Sequence, residues 1–97
     1  MLEEFSVKGK RDSLRIICEI LKLLNSGPAT ITRIVYGTNL NHESAQRYLS
    51  LLERRGFVLR ILSGEGRLFA ITEKGEQVLR DFRKAVDNVW SPIEGIA

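Results

Sequence analysis

Hydrophobic residues recur at intervals of three and four positions in several stretches of the chain, which is the spacing of an α-helix that buries one face. The first stretch predicts a helix over residues 13–26, in which apolar side chains leave little of the surface to polar ones. Asp12 is a candidate N-cap of this helix, and Gly27 followed by Pro28 predicts its end. We therefore expect this helix to lie in the core.

Two further helical patterns follow, separated by a tight turn at residues 38–40. Thr30 is expected to cap a short second helix that ends near Gly37, and Asn41 to cap a third helix that runs to about Arg55. The buried stripe of the third helix is formed by Ala45, Leu49 and Leu52, helped by Tyr48. Its opposite face carries His42, Glu43, Gln46, Arg47, Ser50, Glu53 and Arg54. That polar face is free for a partner.

Two runs rich in β-branched and aromatic residues, 57–62 and 67–72, predict a β-hairpin with a four-residue loop at 63–66. In hairpin register the facing pairs are Leu62 with Arg67, Arg60 with Phe69 and Val58 with Ile71. Thr72 is a candidate cap for a last helix over residues 73–90, which Ser91 and Pro92 are expected to end. The apolar stripe of that helix consists of Val78, Leu79, Phe82, Ala85, Val86 and Val89.

The order of these elements predicts an α+β fold. A helix-turn-helix followed by a hairpin and another helix is how a winged helix presents a polar helix face to the DNA major groove. The chain then divides into a flexible arm at residues 1–11, a winged helix-turn-helix domain at 12–72, a C-terminal helix at 73–90 and a tail at 91–97. The pattern indicates nucleic acid as the partner before any chemistry is considered.

Composition fits a single small domain, because 97 residues with 43% hydrophobic content can bury one modest core. The net charge of +3, from 15 Lys and Arg against 12 Asp and Glu, favours DNA only if the fold gathers it on one face. The single cysteine, Cys18, lies among apolar residues and is interpreted as a structural thiol. Without a signal peptide or a long apolar run, the sequence predicts a soluble, cytoplasmic and nucleoid-associated protein.

Several segments are similar to those of MarR-type bacterial and archaeal repressors. They read Ser-Ala-Gln-Arg-Tyr-Leu at 44–49, Leu-Glu-Arg-Arg-Gly-Phe-Val at 52–58 and Ile-Thr-Glu-Lys-Gly at 71–75. The segment Thr-Arg-Ile-Val-Tyr-Gly-Thr-Asn-Leu-Asn at 32–41, with Tyr48 and Leu49, more closely resembles small archaeal winged-helix proteins, among them the ten-kilodalton chromatin-associated type. The resemblance covers residues 12–90 and implies a DNA-binding protein.

The resemblance also bears on assembly. MarR-type proteins carry extra terminal helices that dimerise and frame an effector pocket, whereas this sequence has only one helix after the wing. The wing is short and has Glu65 beside Arg67, which disfavours deep minor-groove contacts. In the small archaeal proteins the C-terminal helix pairs with its twin, which implies a homodimer here. The stripe residues expected at that contact are Leu79, Phe82, Val86 and Val89. The alternative is that this helix folds back over the first helix and the wing of its own chain, which could cover Leu79 and Phe82 without a partner.

Arg47 is the first candidate for a DNA contact, because a guanidinium on the exposed face of the third helix can bind guanine or a phosphate. The other candidates on the two helices are Thr30, Thr32, Arg33, Asn41, His42, Ser44, Gln46 and Ser50. Arg60 and Arg67 on the wing, and Lys8, Lys10 and Arg11 on the arm, could follow the phosphate backbone. For each of these side chains an ordinary solvated surface residue is the alternative interpretation.

The sequence does not indicate an enzyme. His42 has no accompanying cysteine or serine motif, and Gly64 to Gly66 lie inside the hairpin rather than at the start of a helix. No spacing of His, Cys or carboxylates suggests a metal site, and no cofactor is expected.

The sequence therefore predicts a homodimeric winged-helix transcriptional regulator that binds double-stranded DNA. The third helix would enter the major groove while the wing contacts the flanking backbone. Two alternatives remain open at this point. One is an architectural chromatin protein with little sequence preference, and the other is a winged helix that serves as a protein-protein adaptor. The adaptor would be favoured if Leu59, Ile61 and Leu68 were exposed and the third helix were neutralised by its own glutamates.

Overall fold

The computed structural model describes the backbone of residues 7–64 and 66–96 and the side chains of residues 13–64 and 66–86. In chain order the elements are α1 (Val7–Asn25), α2 (Ile31–Thr38), α3 (His42–Arg54), β1 (Val58–Ser63), β2 (Gly66–Ile71) and α4 (Glu73–Ile96). The two strands form an antiparallel hairpin, here called the wing. This arrangement confirms the predicted α+β winged helix.

The core lies where α1, α2, α3, the wing and the first turns of α4 meet. Its largest fully buried side chains are Ile20, Leu21, Leu24, Ile34, Leu49, Leu52 and Leu79. Ala29 forms an isolated antiparallel β-bridge with Phe69 of the wing. The Ala29 N–H donates to the Phe69 carbonyl at 3.0 Å, and the Phe69 N–H donates to the Ala29 carbonyl at 2.8 Å. The wing is thereby attached to the segment that precedes α2.

The first helix begins at Val7, not at residue 13 as predicted. Residues 7–11 of the predicted flexible arm are therefore helical, and Asp12 lies inside the helix instead of capping it. The physical reason is that Lys8, Lys10 and Arg11 are good helix formers and that a single Gly9 does not stop a helix. Residues 1–6 lie outside the described part of the chain.

The last helix also exceeds its predicted end, because α4 continues through Pro92 to Ile96. A proline removes one backbone donor but holds φ near the helical value, so it does not have to end a helix. The prediction of a tail beginning at residue 91 is wrong for the described residues up to 96.

Two of the predicted helix caps are present at the helix-turn-helix. Thr30 Oγ1 accepts a hydrogen bond from the Arg33 N–H at 3.2 Å, and Asn41 Oδ1 accepts one from the Ser44 N–H at 2.7 Å. Between the helices, Asn39 adopts the left-handed conformation with φ of 60°. These contacts satisfy backbone groups that a helix end leaves free, and they fix the turn between α2 and α3.

Thr72 caps α4 as predicted and also joins it to the end of α3. Its hydroxyl accepts a hydrogen bond from the Gly75 N–H at 3.0 Å and donates one to the Gly56 carbonyl at 2.7 Å. The start of α4 is therefore tied to the turn that leads from α3 into the wing.

The predicted register of the wing is confirmed for all of its facing pairs. The strands are shifted by one residue from their predicted bounds, since Ser63 pairs with Gly66 and the loop is two residues shorter than expected. Because strand side chains alternate between faces, Arg60 and Phe69 lie on the same face of the wing.

Cys18 lies half-buried on α1, packed against the core. Burial raises the pKa of its thiol, an effect opposed in part by the positive charges of Lys22 and Arg83. A raised pKa keeps the thiol protonated near neutral pH, which agrees with a structural role.

In the described part of the chain, no helix has both the length and the apolar content that a membrane span requires.

We predict that Gly75→Ala destabilises the fold by about 1–3 kcal/mol, the usual range for overpacking. A Cβ at Gly75 would overlap the backbone carbonyl oxygen of Phe57, which cannot rotate away. Gly37→Ala is the matched control, because its Cβ would meet only the end of the flexible Leu23 side chain. Thermal and urea unfolding should show a much larger loss for the first variant. Equal stability of the two variants would contradict this packing.

We also predict that Asn41→Ala lowers stability by about 0.5–2 kcal/mol, because α3 loses its cap. Asn41→Asp should keep the stability, since a carboxylate oxygen can accept the same bond from Ser44. The measurement is urea unfolding followed by circular dichroism. Wild-type stability of Asn41→Ala would show that the cap does not hold α3.

Candidate nucleic-acid interface

A groove of about 1240 Å³ runs between the exposed face of α3 and the wing. Ser13 of α1 and the start of α2, at Thr30 and Ile31, complete its lining. Its basic residues are Arg47, Arg54, Arg60 and Arg67, and Glu43 is the acidic residue of the described lining. The groove therefore has an excess of positive charge that the modest net charge of the whole chain does not reveal.

Packing of α3 explains which side chains reach this groove. Ala45, Leu49 and Leu52 are at most 1% exposed, so the apolar stripe is held in the core and the opposite face must point to solvent. The polar side chains of α3 that line the groove are Glu43, Gln46, Arg47, Ser50 and Arg54. His42, another predicted site residue, is exposed at the start of the helix but lies outside the groove lining.

Arg47 is positioned by its neighbour on the previous turn, since its Nη2 donates to Ser44 Oγ at 3.4 Å. The Ser44 N–H in turn donates to the side chain of Asn41, the cap of α3. Ser44 and Asn41, both predicted to contact DNA, therefore have structural roles at the start of α3. Among the described side chains, Arg47, Arg54 and Arg67 form no ion pair with a carboxylate. Their donors remain available for phosphate or for the edge of a guanine.

Arg60 differs from the other arginines because it has an acidic partner. Its Nη2 and Nε donate to Glu53 Oε1 and Oε2 at 2.8 and 3.1 Å, and its guanidinium lies 5.3 Å from the centre of the Phe69 ring. The hydrogen bonds and charge of Glu53 raise the pKa of Arg60 above its ordinary value. The predicted backbone contact of Arg60 must therefore compete with this carboxylate.

The start of α2 contributes less to the groove than the sequence suggested. Thr30 lines the groove, but its hydroxyl is engaged as the cap of α2. Thr32 and Arg33 are exposed on α2 and lie outside the groove lining.

Glu43 and Arg54 line the groove but were not among the predicted site residues. Helical periodicity had placed both on the exposed face of the third helix, and Arg54 lies seven residues, or about two turns, after Arg47. Tyr48, interpreted as a core residue, also lines the groove, and its hydroxyl forms a hydrogen bond of 3.1 Å with Ser13 of α1.

The opposite face of the wing is apolar and partly exposed. Leu59 is 46% exposed, and Ile61 and Leu68 are half-buried without belonging to the residues packed on the core. Leu62, on the groove face at the distal end of β1, is 79% exposed. The adaptor interpretation required these three side chains to be exposed, which is true of Leu59 and only in part of Ile61 and Leu68. On α3, Glu53 neutralises Arg60 but not Arg47 or Arg54.

Exposure rises along the apolar stripe of α4. Leu79 is 2% exposed and belongs to the core of its own chain, so its predicted place in a dimer contact is wrong. Phe82 is half-buried, and Val86 is 37% exposed. Val89 lies outside the described side chains.

No group of three or more His, Cys, Asp or Glu in the described residues is arranged to hold a metal ion.

A family model described as winged helix-turn-helix matches residues 10–89. An uncharacterized protein of Methanocaldococcus jannaschii is 30% identical over 69 residues, which are 71% of this chain and 67% of the relative. Among solved structures, Sso10a-2, a DNA-binding protein from Sulfolobus solfataricus, is 30% identical with a TM-score of 0.62, covering 84% of this chain and 87% of the other.

A MarR family transcriptional regulator from Silicibacter pomeroyi is 18% identical with a TM-score of 0.68, over 81% of this chain and 54% of the other. At that identity the likeness concerns the fold alone. Both resemblances noted in the sequence, to small archaeal winged-helix proteins and to MarR-type repressors, are thus confirmed. The matched family is described by its winged helix-turn-helix and not by an enzymatic activity, in agreement with the sequence, which indicated no enzyme. The chain belongs to the winged helix-turn-helix family.

Proposed function

We propose that the protein binds double-stranded DNA as a transcriptional regulator, with α3 in the major groove and the wing along the flanking backbone. The observation that carries this proposal is the groove between α3 and the wing, where Arg47, Arg54 and Arg67 lack acidic partners among the described side chains. A DNA-binding role would place the protein at the nucleoid in the cytoplasm.

The dimensions of α3 suit this role. Its 13 residues span about 20 Å, and a major groove about 12 Å wide admits one α-helix. In helix-turn-helix proteins the N-terminal part of the recognition helix contacts base edges. Gln46 and Arg47 occupy that part of α3 and both line the groove, so they are the proposed base contacts. Ser50, Arg54 and Arg67 are proposed to bind phosphates.

The comparisons support DNA binding more strongly than regulation. Sso10a-2 is described as a DNA-binding protein and is similar in sequence as well as in fold. The structure described as a transcriptional regulator shares the fold at low identity. An architectural role with little sequence preference is therefore an alternative outcome of the experiment below.

A homodimer through α4 is part of this proposal. Because exposure rises from Leu79 through Phe82 to Val86, the apolar stripe of α4 leaves the core while the helix continues to Ile96. A second copy of α4 would cover this stripe, and two-fold symmetry would direct two recognition helices toward major grooves about 34–36 Å apart.

The exposed apolar side of the wing favours a second candidate function, a protein-protein adaptor. Leu59 is the observation that supports it, because nothing in the described chain covers this side chain fully. An adaptor of this kind would leave the arginines of the groove without a function, which is why DNA binding is preferred.

We predict that Arg47→Ala weakens binding to a duplex selected from random sequence by about 1–3 kcal/mol, the range of one good base contact. On a random duplex the loss should be smaller, because only phosphate contacts remain there. The measurement is a binding titration on both duplexes at two salt concentrations. Equal losses on both would assign Arg47 to a phosphate and favour the architectural role.

Two adjacent arginines provide the matched control. Arg54 lines the groove, whereas Arg55 is exposed and does not. Arg54→Ala should weaken binding and reduce the slope of log affinity against log salt by about 0.9, while Arg55→Ala should leave both unchanged. Absence of DNA binding by the wild type at roughly 50 mM salt would refute the proposed function and favour the adaptor.

We further predict that Val86→Glu combined with Val89→Glu gives a folded monomer that binds DNA more weakly, because the charges enter the proposed contact and linked half-sites are lost. Lys84→Glu, at an exposed position of α4 away from the apolar stripe, is the control for added negative charge. Sedimentation should show a dimer for the wild type and for the control. A wild-type monomer at tens of micromolar, or a dimeric double variant, would contradict the α4 contact.

A further inference from the structure

Glu53 and Arg60 connect the recognition helix to the wing. Glu53 lies in the last turn of α3, and Arg60 lies in the middle of β1. Their two hydrogen bonds, at 2.8 and 3.1 Å, form a bidentate pair, and the two side chains are 25% and 40% exposed. A pair held at both oxygens has a defined direction, which a single contact between flexible side chains lacks.

The same guanidinium also rests on a fixed part of the core. It lies 5.3 Å from the centre of the Phe69 ring, and Phe69 is only 5% exposed. Phe69 in turn is bound through its backbone to Ala29. Arg60 is therefore held between α3 on one side and an anchored ring on the other.

The wing is a two-stranded hairpin, which has few contacts of its own, and it is held by Val58 and Phe69 in the core and by the backbone bonds between Phe69 and Ala29. The turn after α3 is fixed near its base, where the Phe57 N–H donates to the Leu52 carbonyl at 2.9 Å. Val58 then packs in the core, and Arg60 makes the next hydrogen-bonded contact from β1 to α3 among the described side chains.

We propose that Glu53 and Arg60 are positioning residues whose ion pair holds the wing at a fixed angle to α3, so that both elements reach the same DNA duplex. This inference rests on the proposed DNA-binding function. It assigns Arg60 a different role from that of Arg47, Arg54 and Arg67, which are left free to contact DNA.

The proposal and simple electrostatics predict opposite changes in DNA affinity when Glu53 is replaced. A carboxylate beside a DNA-binding surface repels phosphates, so its removal should strengthen binding if charge alone matters. Glu43 provides that case, because it lines the same groove on the same helix and has no ion pair among the described side chains. Glu53→Gln should instead weaken binding, since the wing loses its contact with α3.

The test is a double-mutant cycle on one selected duplex at fixed salt, with Glu53→Gln, Arg60→Gln and the two combined. We expect Glu53→Gln to reduce affinity by about two- to fivefold, the range for a partly exposed ion pair. The combined variant should bind no worse than Arg60→Gln alone, and the control Glu43→Gln should bind more tightly than wild type. Tighter binding of Glu53→Gln, or additive losses, would show that Arg60 contacts DNA directly.

A measurement without DNA separates this inference from the proposed function. Backbone ¹⁵N relaxation of the free protein should show increased motion of β1 and β2 in Glu53→Gln and unchanged order in α3, which also verifies that the variant folds. If wild type binds DNA but wing order is unchanged in Glu53→Gln, the positioning role is wrong and the proposed function stands. If wild type binds no DNA, the proposed function fails, and the positioning role fails with it.

Discussion

The burial of one face of α3 is the constraint on which the rest of the molecule depends. Ala45, Leu49 and Leu52 are fully enclosed in the core, and rotating the helix would move them into water at a cost of about 1.5–3 kcal/mol for each leucine. The packing of these residues therefore fixes the rotation of α3 about its axis, so that its polar face points to solvent. The caps at Asn41 and Thr30 fix where α3 begins and how it follows α2, so Arg47 and its neighbours are presented by a rigid element.

Charge in this protein acts through its location and not through its amount. A net charge of +3 is modest for 97 residues, yet the groove gathers Arg47, Arg54, Arg60 and Arg67 in its lining, where Glu43 is the one described carboxylate and Glu53 pairs with Arg60. Glu53 forms an ion pair with Arg60, and this pair connects α3 to the wing. The same residue type thus has two roles, which depend on whether a carboxylate lies within reach of the guanidinium.

Much of the fold could be predicted from the sequence, because it is determined by local patterns. Helical periodicity identified the buried face of α3, side-chain oxygens marked the caps, and strand alternation gave the register of the wing. The outer ends of α1 and α4 were missed because Asp12 and Pro92 can each stop a helix but do not have to. For Leu79 the sequence left two alternatives open, a dimer contact and the core of its own chain, and it gave no partner for Arg60, because both depend on how distant elements pack in three dimensions.

The most direct test of the proposed interface is an NMR titration of the ¹⁵N-labelled protein with a selected DNA duplex. The interface described here predicts that the largest amide shifts fall on α3 and on the segment from Gly66 to Leu68 of the wing. Amides near Lys84 on α4 should change little, and those around Leu59 should change less than those of α3. Largest shifts around Leu59, with α3 unaffected, would contradict the account and identify the apolar side of the wing as the binding surface.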